Sequence, residues 1–246
     1  TEDELGNSSV ADNMTYFTSR PFVPSADILL VLDGDEEFEF SSYYTDALDD
    51  NSYAYDVWDT RFRGALDLAM LDLYQDGVVI WAIPTFGSLM MVENQEGLIN
   101  YLDNGGRLFI TGQDLGMYLS GAYVPLYRDY LHATYVQNAT LLYTLNGVTG
   151  DPISDGMVLS ISDGDGADNQ ESADEIDPIA PAISIFLYDE EMRAAEGIIG
   201  SGTGALRVDT GTYRLVYFAF GFEELSINIY RFRHTRNGFT IQVWIV

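Results

Sequence analysis

Residues 101–116 read YLDNGGRLFITGQDLG, and three local signals follow one another within them. Asn104-Gly105-Gly106 stops a helix predicted over 93–103, because glycine takes the left-handed conformation of a C-terminal cap without a Cβ penalty. Arg107–Thr111, with Leu108, Phe109 and Ile110 in succession, then reads as a strand buried on both faces. Gly112-Gln113-Asp114-Leu115-Gly116 turns sharply from that strand into another helix. Flanking glycines permit a strained backbone and close approach of neighbours, which is the geometry of a nucleophile elbow.

Working outward, the same grammar repeats on the N-terminal side. Ile28–Leu32 is a continuous apolar run that ends in Asp33-Gly34-Asp35, as a buried parallel strand feeding a loop should. Tyr43–Leu48 predicts a short helix and Ala54–Trp58 a second strand. Leu66, Ala69, Met70 and Leu73 fall at helical spacing within 65–74, and Val78–Trp81 is a third strand broken at Pro84. Strand and helix alternate about every twenty residues, the rhythm of right-handed βαβ units. The fold class expected is therefore α/β: a three-layer sandwich with a mostly parallel central sheet plus a β-rich second half. In that second half Leu126–Ala133 reads as helical, followed by strands near 140–145, 157–161, 183–188 and 197–200. A hairpin 205–209/213–220 turns on Asp209-Thr210-Gly211-Thr212, and 162–178 reads as an acidic loop. Three segments result: an N-terminal extension 1–26, an α/β domain 27–224, and a basic C-terminal strand segment 225–246.

Composition narrows the chemistry. Asp and Glu number 39 against 11 basic residues, all of them Arg, for a net charge of −28. Nucleic acid is a poor partner for such a chain, since phosphate neutralisation needs clustered cations. No apolar run reaches the ~18 residues of a membrane span. Cysteine is absent, which removes disulfides, thiolate metal sites and thiol nucleophiles together. Only two histidines occur, His132 in the Tyr-rich segment and His234 in the Arg-rich tail. Asn-x-Ser/Thr sequons stand at Asn7, Asn13 and Asn138. Together with the hydrated acidic surface and the first residue Thr1, they suit an extracellular or cell-surface protein.

The chain resembles the class I glutamine amidotransferase-like superfamily, including its ThuA-like (flavodoxin-like) branch, and more closely a domain met in large secreted bacterial and archaeal proteins. The likeness rests on "ILLVLDGD", "SYYTDALDDNSYAYDVWDT", "DGVVIWAIP", "YLDNGGRLFITGQDLG", "YRDYLHATYV", "DGDGADNQESADEIDPI" and "YRLVYFAFGFE", which span most of 27–224. In the amidotransferases the central elbow residue is a cysteine activated by a later histidine. Here that position is Asp114, and Glu223 in "FAFGFE" falls near a later catalytic loop without a histidine beside it. The resemblance thus implies the fold and a degenerate, catalytically silent elbow.

Candidate sites follow from the strand-end rule for open parallel sheets. Asp33-Gly34-Asp35-Glu36, the Pro84-Thr85 loop and the Asp114 elbow should converge there. Asp114 has three readings: a cap on the helix beginning at Leu115, a ligand-binding group, or a nucleophile. If the protein is an enzyme, the residues are Asp35, Asp114 and Glu223, a carboxylate set of the glycosidase kind whose separation would decide the mechanism. The candidate metal loop comprises Asp163, Asp165, Asp168, Asn169 and Asp174, oxygen ligands suited to Ca²⁺ although not spaced as an EF-hand. Asp33, Asp35 and Glu36 form a second acidic group.

Three functional readings follow. One is a non-catalytic extracellular structural or interaction domain. The others are a carboxylate-dependent glycoside hydrolase and a carbohydrate-binding module, the last suggested by 17 Tyr and 3 Trp. Residues 225–246 contain no acid but hold Arg231, Arg233 and Arg236, and end in the alternating run Phe239–Val246. A terminal strand of that kind either closes its own domain or pairs with a neighbouring copy, so a homo-oligomer or filament is expected among the partners; Met14–Thr18 is a second candidate strand, in the N-terminal extension.

Overall fold

The computed structural model describes residues 22–34, 40–66, 68–83, 92–121, 125–139, 142–162, 166–197 and 201–226. The expected terminal strands, Asp35, Glu36, the Pro84-Thr85 loop, Asp163, Asp165, Asn7 and Asn13 lie outside them, as do 198–200 of the strand expected at 197–200.

The N-terminal half follows the alternation of its sequence. β1 (Ile28–Leu32), β2 (Tyr55–Asp59), β3 (Val78–Ile83) and β4 (Arg107–Gly112) alternate with α1 (Ser41–Asp50), the short α2 (Thr60–Arg63) and α3 (Leu68–Leu71), and α4 (Val92–Asp103). β1 is buried at every position, because both of its faces are covered. Leu29 and Val31 join a core with Leu98 and Leu102 of α4, whereas Ile28, Leu30 and Leu32 pack with Tyr44 and Leu48 of α1. α4 ends as predicted: Gly105, at φ +96, and Gly106 donate back to Leu102 and Tyr101. That is the paired hydrogen-bond pattern of a Schellman cap.

The second half contributes α5 (Leu115–Gly121), a π-helical turn at 126–130, β5 (Ala133–Asn138), β6 (Thr144–Gly147), β7 (Val158–Ser160), β8 (Asp174–Pro178), β9 (Ile183–Tyr188), α6 (Glu190–Glu196), β10 (Thr203–Asp209) and β11 (Arg214–Phe218). Strand order is β2-β1-β3-β4-β11-β10-β9-β6-β7, with β8 pairing both β10 and β5. β2, β1, β3, β4 and β11 run parallel. Every pairing beyond β11 is antiparallel. The mostly parallel sheet expected from sequence is therefore a mixed one. β11 is the pivot, serving both as the second arm of the predicted hairpin and as the fifth parallel strand beside β4.

Two further expectations are corrected. The helix expected over 126–133 is a five-residue π-helical turn, and Ala133 already belongs to β5. The acidic loop 162–178 ends in a strand, β8, whose Asp174, Glu175 and Ile176 are buried. Among the described residues no helix is long and apolar enough to cross a membrane.

Candidate functional site

Among the described residues, the carboxyl ends of β4 and β11 hold the densest set of buried acids. β4 delivers Thr111, Gln113 and Asp114, and β11 runs on into a 3₁₀ turn at 222–224 with Glu223 and Glu224. Thr111 joins the two strand ends, its Oγ1 donating to the Phe220 carbonyl at 2.7 Å and accepting from Phe222 N at 2.9 Å.

The elbow is real in its backbone. Asp114 sits at φ +60, in the left-handed region that non-glycine residues seldom occupy. Both glycines around it are required by close approach. A Cβ on Gly112 would run into the Ile83 carbonyl of β3, and one on Gly116 would lie 2.7 Å from the Tyr127 hydroxyl and 2.8 Å from Asp174 Oδ2.

Its chemistry differs from that of a helix cap. The carboxylate that accepts from the α5 backbone is Asp174, whose Oδ2 takes the Gly116 N–H at 2.6 Å. Asp114 Oδ2 instead accepts from the Ser172 hydroxyl, and its buried Oδ1 has no hydrogen-bond partner among the described residues. Burial raises the Asp114 carboxyl above the ordinary range, with the Glu171 charge adding to it and the Ser172 hydrogen bond opposing. Asp174 is held higher still, by burial against the Gly116 hydrogen bond and with Asp114 as a like charge.

The segment 166–173 closes over these groups. Gln113 Oε1 accepts from Glu171 N, Ser172 N and Gln170 Nε2 at 2.8, 3.1 and 2.9 Å, while its Nε2 donates to the Asn169 carbonyl at 2.9 Å. Gln170 Oε1 takes the Gly221 N–H, and Glu224 Oε1 takes the Asn169 N–H at 2.5 Å. Glu223 lies beneath, its Oε2 accepting from Tyr44 OH at 2.5 Å and its Oε1 facing the Asn169 amide at 3.5 Å. Burial pushes both glutamates up to about 7; the Tyr44 hydroxyl opposes it at Glu223, and the Asn169 N–H opposes it at Glu224. Among the described residues no basic side chain forms an ion pair with any of these four carboxyls.

Asp33 belongs elsewhere. Its carboxylate accepts from Trp81 Nε1 at 2.9 Å, Thr60 Oγ1 at 3.0 Å and Asn94 Nδ2 at 3.5 Å, and so ties β1 to β3, α2 and α4. Of the catalytic set, Asp114 and Glu223 share the roof 166–173, while Asp35 is outside the described residues. Of the metal set, Asp174 caps α5, Asn169 engages the two glutamates, and Asp168 stands at φ +54 in the roof. Among the described residues no group of three or more His, Asp or Glu is arranged to hold a metal ion. Asn138, on β5, is half-buried, and its Oδ1 accepts from Tyr135 OH at 2.7 Å. His132 lies at the opposite end of the sheet from the elbow, and His234 is outside the described residues.

No protein-family model matches the sequence, and no curated protein does. Solved structures do resemble the chain. A ThuA-like protein from Bacteroides uniformis superposes with a TM-score of 0.56 at 11% identity, over 92% of this chain and 94% of that one. The fold resembles that of this ThuA-like protein. A second ThuA-like protein, from Parabacteroides merdae, aligns at TM-score 0.47 and 14% identity over 78% of this chain and 77% of that chain. The N-terminal domain of mmIFT52 aligns at 0.51 and 10% identity, covering 80% of this chain and 88% of that one. Identities this low speak to architecture alone.

Proposed function

We propose that this is a non-catalytic structural or interaction domain of an extracellular or cell-surface protein, built on a ThuA-like scaffold whose elbow has been filled. One observation supports it above others. The elbow carboxyl is 1% exposed and lies beneath the chain's own residues 166–173, fastened by Gln113, Gln170 and Glu224. A nucleophile needs access to substrate and a base in reach, and among the described residues Asp114 has a serine hydroxyl on one oxygen and no partner on the other. The acidic surface, the lysine-free composition and the acid-free tail 225–246 support an exposed, salt-tolerant protein that associates with copies of itself.

A second reading is a carboxylate-dependent hydrolase. Glu223 and Glu224, pushed up to about 7, are protonated at neutral pH to the extent a general acid needs. Two measurements separate the readings. Purified protein should release no ammonia from glutamine and no chromophore from nitrophenyl glycosides between pH 5 and 8. Light scattering and electron microscopy should show concentration-dependent association that salt weakens. Turnover that disappears in Glu223→Gln would establish the hydrolase and overturn the structural reading.

A further inference from the structure

The amino end of the parallel strands, opposite the elbow, carries a cavity of about 710 Å³. That volume falls within the few hundred to one thousand Å³ of small-molecule sites. Its floor holds three rings. Tyr130 and Tyr213 lie 5.9 Å apart at 29°, and His132 continues end to end from the Tyr213 hydroxyl, its ring centroid 6.5 Å from that of Tyr213 and its plane inclined by 10°. Asp103, at the end of α4, and Asp129, in the π-helical turn, stand on its rim.

Tyr213 OH donates to the Tyr130 carbonyl at 3.0 Å, so the 3.0 Å contact between it and His132 Nε2 must use the imidazole proton. Nδ1 is then left as an acceptor in the neutral ring, and burial favours that neutral form by lowering the His132 pKa. Tyr130 OH donates to both oxygens of Asp103, at 2.9 and 3.1 Å, which spends the phenol proton and leaves carboxylate lone pairs outward. Thr210 turns inward, accepting from Thr212 N and Tyr213 N. Among the described residues no Arg lines the cavity; Arg214, at the foot of the same turn, pairs with Asp209 at 3.2 Å. The twelve-residue α4 also ends here, at Asp103. His132 itself is held at φ +51, a backbone conformation more often kept at functional sites than elsewhere.

Acceptors, two carboxylates and aromatic rings make a receptor for a donor-rich positive group. We propose that this cavity binds an organic cation, an ammonium or guanidinium on a short aliphatic stem. The site stands independently of the elbow and of the structural reading. The cation has two possible sources: a free small amine or guanidine, or an arginine side chain of a basic segment such as this chain's own 230–238 in a second copy.

The test is an NMR titration of isotopically labelled protein, read at the His132 ring. The chain has only two histidines, so His234→Gln assigns that signal. Agmatine and the unlabelled peptide YRFRHTRNG are the cationic probes, and maltose is the neutral one. Saturable shifts of the His132 ring with agmatine or the peptide are expected, and none with maltose. Asp103→Asn combined with Asp129→Asn should weaken binding roughly tenfold, as the loss of two partly exposed ion pairs would. Asp50→Asn, an exposed acid on α1, should leave it unchanged. Tighter binding of the peptide than of agmatine assigns the source to a basic segment; the reverse assigns it to a free small cation. A silent His132, a response to maltose alone, or equal weakening by Asp50→Asn would overturn the proposal.

Discussion

Asp114 combines a left-handed backbone with a buried carboxyl that no cation among the described residues neutralises, and its two neighbouring glycines make that possible. Strain of this kind costs on the order of 1–3 kcal/mol and persists only where the surroundings over-determine it. Gly116 is where that can be measured. A methyl group there would lie 2.7 Å from Tyr127 OH and 2.8 Å from Asp174 Oδ2, both buried and neither at the end of a flexible chain. Gly116→Ala is expected to destabilise the fold by about 1–3 kcal/mol in urea unfolding, the usual range for overpacking. An unchanged midpoint would mean that Asp174 is not seated on the N-terminus of α5. The elbow was legible in Gly112–Gly116 because turn chemistry is local. The cap was not, because Asp174 lies 58 residues from Gly116 and nothing in its own neighbourhood marks it. Counting acids places Asp174 in the candidate metal set; in the fold its Oδ2 accepts a backbone N–H.

At the scale of elements, the parallel strands were readable and the antiparallel ones only in part, for a physical reason. β1, β3 and β4 are buried on both faces and appear as unbroken apolar runs. β8 has the sequence DEIDP, with one apolar residue other than proline, and hydrophobic periodicity cannot register it. It is buried because other elements supply its partners: Gly116 N for Asp174, and Arg193 at 2.6 Å together with Gly202 N at 3.0 Å for Glu175. The roof that precedes β8 depends likewise on a residue outside itself. Gln113→Ala removes an oxygen that accepts from three donors and an amide that holds the Asn169 carbonyl. At about 1 kcal/mol for each bond, a loss of roughly 2–4 kcal/mol is expected. Amide exchange in 166–173 should accelerate before that of β1, β3 and β4 does. Uniform acceleration across the sheet would show that the roof and the core open together.

For the whole molecule, the buried glutamates set the sign of the response to pH. Glu223 and Glu224 lie at about 7 when folded, against 4.5 for an ordinary glutamate. Between those values the folded state binds more protons than the unfolded chain. Stability is therefore fully present below about pH 4.5 on this account and is lost as pH rises through 7. A tenfold difference in proton affinity between folded and unfolded states is worth about 1.4 kcal/mol. For a chain of this size each kcal/mol moves Tm by about 2–4 °C, so Tm should rise by several degrees from pH 8 to pH 5.5. The net charge of −28 opposes folding across the window through self-repulsion at the surface. Salt separates the two effects further: 1 M NaCl screens surface repulsion with a Debye length of about 3 Å and leaves buried carboxyls largely untouched. The pH dependence should thus survive in 1 M NaCl. Glu224→Gln keeps an oxygen for the Asn169 N–H and removes the charge, so it should raise Tm at pH 8 and flatten the pH profile. Asp50→Asn, which removes one exposed charge from α1, should do neither. A Tm that stays level or falls on acidification from pH 8 to 5.5 would mean that both glutamates are ionised inside the fold, and that some cation reaches them there.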